Sequence, residues 1–332
     1  MEPTAEPGWR SAYALRKPVS ERVSVFPPTE EEMAILRAVT YASVFDYPLT
    51  AEELWRSLPR HRMSIDALKR AMAERPFLRD RIALVEGWYV PAGLGDLVDR
   101  RRLREESSRF FLAKHRRTLD AVCVLPFTRL VAISGSLAHL NADEEADLDL
   151  FIVIKGRHVW TVALFLVILS RLMRRRKVVC ANFLLADSHL PLDQHDLYTA
   201  SQVLHLRPVI GADTLATFLE ANPFVHEWFP NAKDAPVADF PFPPAGGLRR
   251  LKRLLELLLW IPSRPLEAVC RSIYGWHLRR RISRWKSPEQ VRLEPCCLKL
   301  HTHSHRKAVL DRFEALVEER SARWSSPARP RP

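Results

Sequence analysis

The sequence predicts a mixed protein of class α+β or α/β, organised in three parts along 332 residues. Three observations support this prediction. The N-terminal part contains three helix-like stretches followed by two short strand-like stretches, and the central part alternates apolar strands with helices. The C-terminal part is dominated by basic stretches whose apolar residues repeat with a helical period.

The charge of the chain is concentrated at one end. Residues 1–244 contain 31 Lys and Arg and 31 Asp and Glu, whereas residues 245–332 contain 20 Lys and Arg against 8 Asp and Glu. The whole formal charge of +12 therefore lies in the last quarter of the chain. Such a region favours an anionic partner, which can be nucleic acid, an acidic lipid surface or an acidic protein. The alternative is a solvated helical surface without a partner.

The cysteines and the apolar segments indicate the compartment. Five scattered cysteines, an odd number, predict a reduced protein of the cytoplasm. Residues 1–28 are rich in proline and charge and predict a disordered leader without a secretory signal. The apolar segment 159–173 is shorter than the roughly 20 residues that span a bilayer, so we expect a buried crossover helix and no transmembrane segment.

Residues 29–98 predict a small helical domain that ends in a hairpin. Capping-box patterns begin at Thr29 and Thr50, and Ser64 is the expected N-cap of a third helix. Two short strands then flank a turn at Glu86 and Gly87. Three helices followed by a hairpin resemble the order of a winged-helix domain.

The third helix of a winged helix usually enters the DNA major groove. Here that helix carries Lys69 and Arg70, which are the candidate nucleic-acid contacts. Winged helices also serve as packing modules, and residues 1–244 have no net charge. Both alternatives stay open at this point.

Residues 99–190 predict the central core. An amphipathic helix over 99–124 has Leu103, Phe110, Phe111 and Leu119 as expected inward positions. Strands follow at 129–134, 148–155 and 178–186, and the crossover helix makes the last two parallel. The rest of the chain is predicted as follows: a helical extension over 191–232, a Pro/Gly-rich linker over 233–247, a basic helical region over 248–320 and a disordered tail over 321–332.

The clearest chemical motif joins the first two strands of this core. Gly135 ends the first strand and can approach a ligand closely, while Ser136 begins a helix whose free N–H groups can bind phosphate oxygens. Asp147 and Asp149 share one face at the start of the next strand, since they are two residues apart. Paired carboxylates are suited to hard divalent cations such as Mg²⁺.

Ile133-Ser134-Gly135-Ser136, ten intervening residues and Asp147-Leu148-Asp149-Leu150 resemble the signature of the nucleotidyltransferase superfamily, typified by DNA polymerase beta and MNT-type proteins. The resemblance covers about residues 105–190. It implies Mg²⁺-dependent transfer of a nucleoside monophosphate from an NTP to an unidentified acceptor, with release of pyrophosphate.

The resemblance also assigns roles and partners. Asp147 and Asp149 would hold two Mg²⁺ ions and carry the catalysis, and Gly135 and Ser136 would bind the outer phosphates of the NTP. The acceptor can be a nucleic acid, a protein hydroxyl or a small molecule. The basic C-terminal region favours nucleic acid.

One departure from the family pattern supports a rival hypothesis. The family usually has a third carboxylate on the next strand, where this chain has Asn182, an amide that cannot act as a general base. Asp187 lies at the far end of that strand, and Glu145, Asp193 and Asp196 could approach only from loops. The alternative is therefore a catalytically inactive nucleotidyltransferase fold that acts as a nucleic-acid-binding or regulatory module. A membrane-surface role for the basic helices is a third alternative.

Two weaker motifs favour structural roles. The segment CCLKLHTHSH offers zinc-ligand types, but without the paired spacing of a closed site, so a polar surface is preferred; the residues are Cys296, Cys297, His301, His303 and His305. A second group favours a helix–helix contact over a base-stacking surface; its members are Asn222, Phe224, Trp228, Phe229 and Asn231.

Overall fold

A computed structural model describes residues 27–143, 146–176, 178–234, 248–285, 288–300 and 305–322. These residues form a mixed α/β protein with fourteen α-helices, a six-stranded mixed sheet and a two-stranded hairpin. The predicted leader (1–28), linker (233–247) and tail (321–332) lie almost wholly outside the described residues, as do His301 and His303.

The N-terminal part consists of α1 Glu30–Ser43, α2 Ala51–Arg56, α3 Ile65–Glu74, α4 Pro76–Arg79, β1 Ile82–Val85 and β2 Trp88–Pro91. Capping boxes at Thr29 and Thr50 begin α1 and α2, as predicted. The hairpin turns at Glu86 and Gly87, which both have positive φ, as a two-residue turn requires. The three helices and the hairpin of the prediction are confirmed, α4 is an additional short helix between them, and the assignment as a winged helix stays a prediction.

The predicted single helix over 99–124 is two helices, α5 Leu97–Lys114 and α6 Arg116–Cys123, which meet at His115. The inward positions expected at Leu103 and Phe110 are wrong, because these side chains are 66% and 68% exposed. The buried face of α5 is instead partly polar. Arg101 pairs with Glu53, and the Ser108 hydroxyl accepts the N–H of Ala142. An amphipathic pattern cannot reveal a face of that kind.

The sheet consists of β3 Thr128–Ile133, β4 Leu148–Ile154, β5 Val179–Ala186, β6 Arg207–Ile210, β7 Arg292–Leu293 and β8 Cys297–Lys299. Its order is β6-β3-β4-β5-β8-β7, and only β4 and β5 are parallel. The crossover helix α8 Val159–Leu172 joins them, as predicted. The short helix α7 Gly135–Ala138 follows β3.

Three of these strands were not expected. β6 lies in the segment predicted as a helical extension, and β7 and β8 lie in the segment predicted as basic helices. Each has only two to four residues, too few for an alternating pattern to stand out. The remaining helices are α9 Leu197–Leu204, α10 Ala212–Glu220, α11 Phe224–Trp228, α12 Leu248–Trp260, α13 Ser263–Arg279 and α14 Arg306–Ala322. The C-terminal part therefore contributes both helices and one edge of the sheet.

Helices cover both faces of the sheet. One core cluster contains Leu150 and Ile152 of β4 together with residues of α6, α8 and α13. The other contains Phe151 and Val153 together with residues of α9, α11 and α14. Because side chains alternate along a strand, Asp149 belongs to the second face, which is where the candidate site lies.

Gly211, between β6 and α10, gives a direct test of this packing. Its φ is +84°, and a Cβ built there would lie 2.0 Å from the backbone oxygen of Arg129. We expect Gly211→Ala to lower the free energy of unfolding by about 3 kcal/mol, from the positive φ and the clash together. Gly156→Ala is the matched control, since its φ is +57° with nothing within 4 Å, and should cost only about 1 kcal/mol. Equal losses in urea unfolding would contradict the packing of β3 against this turn.

Candidate functional site

Gly135 brings the two halves of the sequence motif into contact. The N–H of Ser134 donates to the backbone oxygen of Asp149 at 2.9 Å, which fixes the end of β3 against β4. Gly135 has a φ of +66°, and a Cβ built there would lie 2.6 Å from Oδ2 of Asp149. The positive φ favours glycine, and a side chain at this position would displace the carboxylate of Asp149.

The two aspartates lie at the start of β4. Asp147 is exposed just before the strand, Asp149 is half-buried within it, and Leu148 between them is fully buried on the opposite face. Burial raises the pKa of Asp147. The arrangement agrees with the predicted sharing of one face by Asp147 and Asp149.

Cys180 is the neighbour of Asp149 on β5, and the sequence pattern did not single it out. The register of the parallel pair places Cys180 directly opposite Asp149. Burial, then the charges of Asp149 and Asp147, raise the pKa of the Cys180 thiol to about 12. Asn182 lies two residues further, at the irregularity where the register shifts opposite Leu150. Its role as a replacement for the third carboxylate stays a prediction.

A cleft of about 730 Å³ opens in front of the aspartates. Ser134, Gly135, Asp147 and Asp149 line one side of it. Its other walls come from the segment 189–194, from α9, from β7 and β8, and from the start of α14. The motif and the C-terminal part of the chain therefore enclose one space.

Cationic side chains form the wall opposite the aspartates. Lys299 of β8 donates through Nζ to Oε1 of Gln194 at 3.0 Å and forms no ion pair with any described residue. Burial and the charges of Arg292 and Arg306 lower the pKa of Lys299. Each of these arginines also lines the cleft. A ligand in the cleft thus meets Asp147 and Asp149 on one side and Lys299, beside the ion-paired Arg292 and Arg306, on the other.

The loop acids Asp193 and Asp196 have structural partners. Asp193 lines the cleft and forms an ion pair with Arg292. Asp196 is the N-cap of α9, accepts the N–H of Thr199 at 2.8 Å and pairs with Arg306. Although burial raises the pKa of Asp196, these hydrogen bonds bring it below its ordinary value. Both carboxylates therefore help to hold the cationic wall.

A second cavity of about 460 Å³ adjoins the cleft at Gly135 and is lined by aromatic rings. The rings of His139 and His205 lie 4.1 Å apart, and Tyr47 meets His139 edge-on at 5.3 Å. Burial lowers the pKa of His205 to about 4, so the ring is neutral at pH 7. Its Nδ1 lies 2.7 Å from the backbone oxygen of Ser201 and must donate to it, which leaves Nε2 as an acceptor.

The carboxylate pair limits the kind of metal that fits. Across the described residues, no group of three or more His, Cys, Asp or Glu side chains is arranged to hold a metal ion. Mg²⁺ is commonly held by one or two carboxylates, water and substrate phosphates. Asp147 and Asp149 therefore fit Mg²⁺ that arrives with a phosphate ligand.

The other predicted residues lie away from the aspartates. Lys69 and Arg70 are exposed on α3 and line neither cavity. Asn222 is buried, and its Oδ1 accepts the N–H of Leu192 at 2.8 Å, so it supports the rim of the cleft. Asn231 is also buried and accepts the N–H of Met63, which joins the core to the N-terminal part.

The comparisons give no further assignment. No protein-family model, curated protein or solved structure matches the chain. Of the helices in the described stretches, none combines the length and the apolar character needed to cross a membrane. The geometry of the cleft is therefore the basis of the functional proposal.

Cys180 reports on the charge of the site. Because the thiolate is the reactive form, we expect iodoacetamide at pH 8 to label Cys180 much more slowly than Cys296, the half-buried internal reference. The double variant Asp147→Asn, Asp149→Asn should speed the labelling of Cys180 by up to about tenfold, the effect of one pKa unit. Peptide mapping by mass spectrometry measures both rates.

The exposed pair Asp143→Asn, Asp213→Asn removes the same number of charges outside the cleft and should leave the rate unchanged. If neither double variant changed the labelling rate of Cys180, the charges of Asp147 and Asp149 would not act on this thiol.

Proposed function

We propose that the protein is a Mg²⁺-dependent nucleotidyltransferase, which moves a nucleoside monophosphate from an NTP to an acceptor hydroxyl and releases pyrophosphate. One observation carries this proposal. Gly135, at a φ of +66° that favours glycine, packs directly against Asp149, and both residues line the same cleft. The phosphate-binding half and the carboxylate half of the motif are thus adjacent, as the proposed chemistry requires.

The chain's own residues have separate roles in this proposal. The carboxylates of Asp147 and Asp149 bind Mg²⁺ together with the triphosphate, and the ion neutralises charge on the phosphate oxygens. The backbone around Gly135 and Ser136 binds the outer phosphates, because the missing side chain of Gly135 allows close approach. Lys299 extends the phosphate site, since a half-buried ammonium that pairs with no carboxylate of the described residues is suited to an anion.

The volume of the cleft supports a ligand of this size. At about 730 Å³ it lies within the range of roughly 300–1,000 Å³ that small-molecule sites have. The adjoining cavity offers uncharged rings and the Nε2 acceptor of His205 to a nucleobase or an acceptor. Nucleic acid ends, protein hydroxyls and small molecules are the acceptor classes we propose, and the basic C-terminal region supports nucleic acid.

One observation favours a second candidate function. Cys180, with a pKa of about 12, faces Asp149 on the strand where the family usually has its third carboxylate. A protonated thiol cannot serve as a general base at neutral pH. The second candidate is therefore a nucleotide-binding regulatory module without turnover, with Lys69 and Arg70 as its nucleic-acid contacts.

Thermal unfolding with each NTP, with and without Mg²⁺, tests nucleotide binding. Binding to the folded state alone must raise stability, so we expect one NTP at a hundredfold excess over its Kd to raise Tm by about 5 °C. The rise should require Mg²⁺ and disappear in the Asp147→Asn, Asp149→Asn variant. The Asp143→Asn, Asp213→Asn variant should retain it.

No Tm shift with any NTP in the folded protein would contradict both candidate functions. A shift without release of pyrophosphate, in the presence of nucleic acid, protein and small-molecule hydroxyls, would favour the regulatory module. Release that depends on Asp147 and Asp149 would establish the transferase.

Lys299→Gln tests the cationic wall. We expect it to weaken Mg·NTP binding by about tenfold while leaving the weaker binding of a nucleoside unchanged, because only the phosphates meet the ammonium. Isothermal titration of both ligands measures the two affinities. Lys69→Gln, on the exposed face of α3, is the control with the same loss of charge. If nucleoside binding weakened as much as Mg·NTP binding, Lys299 would shape the cleft without binding phosphate.

A further inference from the structure

Helix α12 leaves much of its apolar surface exposed. Its inward side is partly polar: Leu259 packs on the core, but Nζ of Lys252 donates to the hydroxyl of Thr128 at 2.7 Å, and Oε1 of Glu256 accepts the N–H of Phe127 at 2.8 Å. Its outward side is apolar and exposed, with Leu258 64% exposed; the other outward residues are Leu251, Leu254 and Leu257. A helix normally buries such a stripe.

Helix α13 continues the same pattern. Glu267 accepts the N–H groups of Trp160 and Thr161 at the start of α8, and Cys270 and Tyr274 are buried. Val269, Ile273 and Trp276 lie at helical spacing on the exposed side, and Ile261 in the turn between the helices is 90% exposed. We call these residues the apolar stripe: Leu251, Leu254, Leu257, Leu258, Ile261, Val269, Ile273 and Trp276.

Both helices lie in the layer that covers one face of the sheet. Leu259 of α12 and Leu266, Cys270 and Tyr274 of α13 pack on the same core cluster. The exposed sides of both helices therefore point away from the sheet. The apolar stripe is an exposed surface on the side of the molecule away from the cleft, because Asp149 lies on the other face of the sheet.

Arginines flank the apolar stripe. Five on the two helices and one directly after α13 are exposed and form no ion pair with any described residue: Arg250, Arg253, Arg264, Arg271, Arg279 and Arg280. The acidic residues of these helices, Glu256 and Glu267, are half-buried in the hydrogen bonds described above. The exposed surface of α12 and α13 therefore combines apolar side chains with charged side chains that are all cationic.

We propose that this surface docks on an anionic membrane, with α12 and α13 lying in the plane of the interface. Leucine, isoleucine and tryptophan on one side, flanked by arginine, is the composition of helices that bury an apolar face at the headgroup boundary. The arginines complement acidic headgroups, and each adds attraction near the surface.

Other occupants fit this surface less well. A second copy of the chain would place arginines against arginines, which disfavours a symmetric dimer. Nucleic acid would use the arginines and leave the leucines exposed, since such interfaces are polar. The membrane is the partner that uses both the charge and the apolar area.

Flotation of the full chain with vesicles tests the proposal. We expect the protein to float with phosphatidylcholine vesicles that contain phosphatidylserine, to float much less with phosphatidylcholine alone, and to show a blue shift of the emission from Trp276. Leu254→Glu, Leu258→Glu should lower the partition coefficient by about a hundredfold, because two leucines lose their burial. Leu84→Glu, Leu103→Glu, at equally exposed positions elsewhere, should not change it.

Three outcomes would overturn the proposal. One is the absence of flotation by the wild type. Another is a lower Tm of Leu254→Glu, Leu258→Glu without vesicles, which would mean that the protein itself covers the stripe. The third is a dimer in sedimentation that this variant dissociates, which would assign the surface to a second copy. Ile273→Glu on α13 repeats the test with a single change.

Discussion

A carboxylate in an otherwise buried strand is the constraint on which this structure depends. β4 is buried at every position except Asp149, and β3 and β5 pair with it on either side. Burying a carboxylate is costly, and Asp149 is only half-buried, at the place where the sheet faces the cleft. The glycine at the end of β3, the thiol of Cys180 and the cationic wall of the cleft are all arranged around that one charge.

The C-terminal part completes the site that the central core begins. β8 pairs with the free edge of β5 and carries Lys299 into the cleft, and Arg306 at the start of α14 holds Asp196. The same helix reaches the N-terminal part, where Glu314 pairs with Arg37 of α1. The basic region is thus an integral part of the fold. Part of its charge faces the cleft, and part faces outward from α12 and α13.

Local signals in the sequence predicted much of this fold. The capping boxes, the hairpin turn, the three core strands and the crossover helix depend on short-range chemistry, and the structure has them. β6, β7 and β8 were missed, because their pairing depends on residues far away in the chain. Cys180 was missed because only the register sets it opposite Asp149, whereas the family pattern drew attention to Asn182 as the expected position of the third carboxylate. Of the inward positions predicted for the long helix, Phe111 and Leu119 are confirmed, and Leu103 and Phe110 are wrong because the inward side of α5 also contains Arg101 and Ser108.

The pairing of β5 with β8 has a consequence for biosynthesis. More than a hundred residues separate the two strands, so β5 has an unpaired edge while the ribosome makes the intervening chain. An open apolar edge is a template for pairing with other chains. That edge must therefore be shielded until β8 has been synthesised if the protein is to fold in good yield. A chain truncated before residue 297 would expose the edge of β5 permanently.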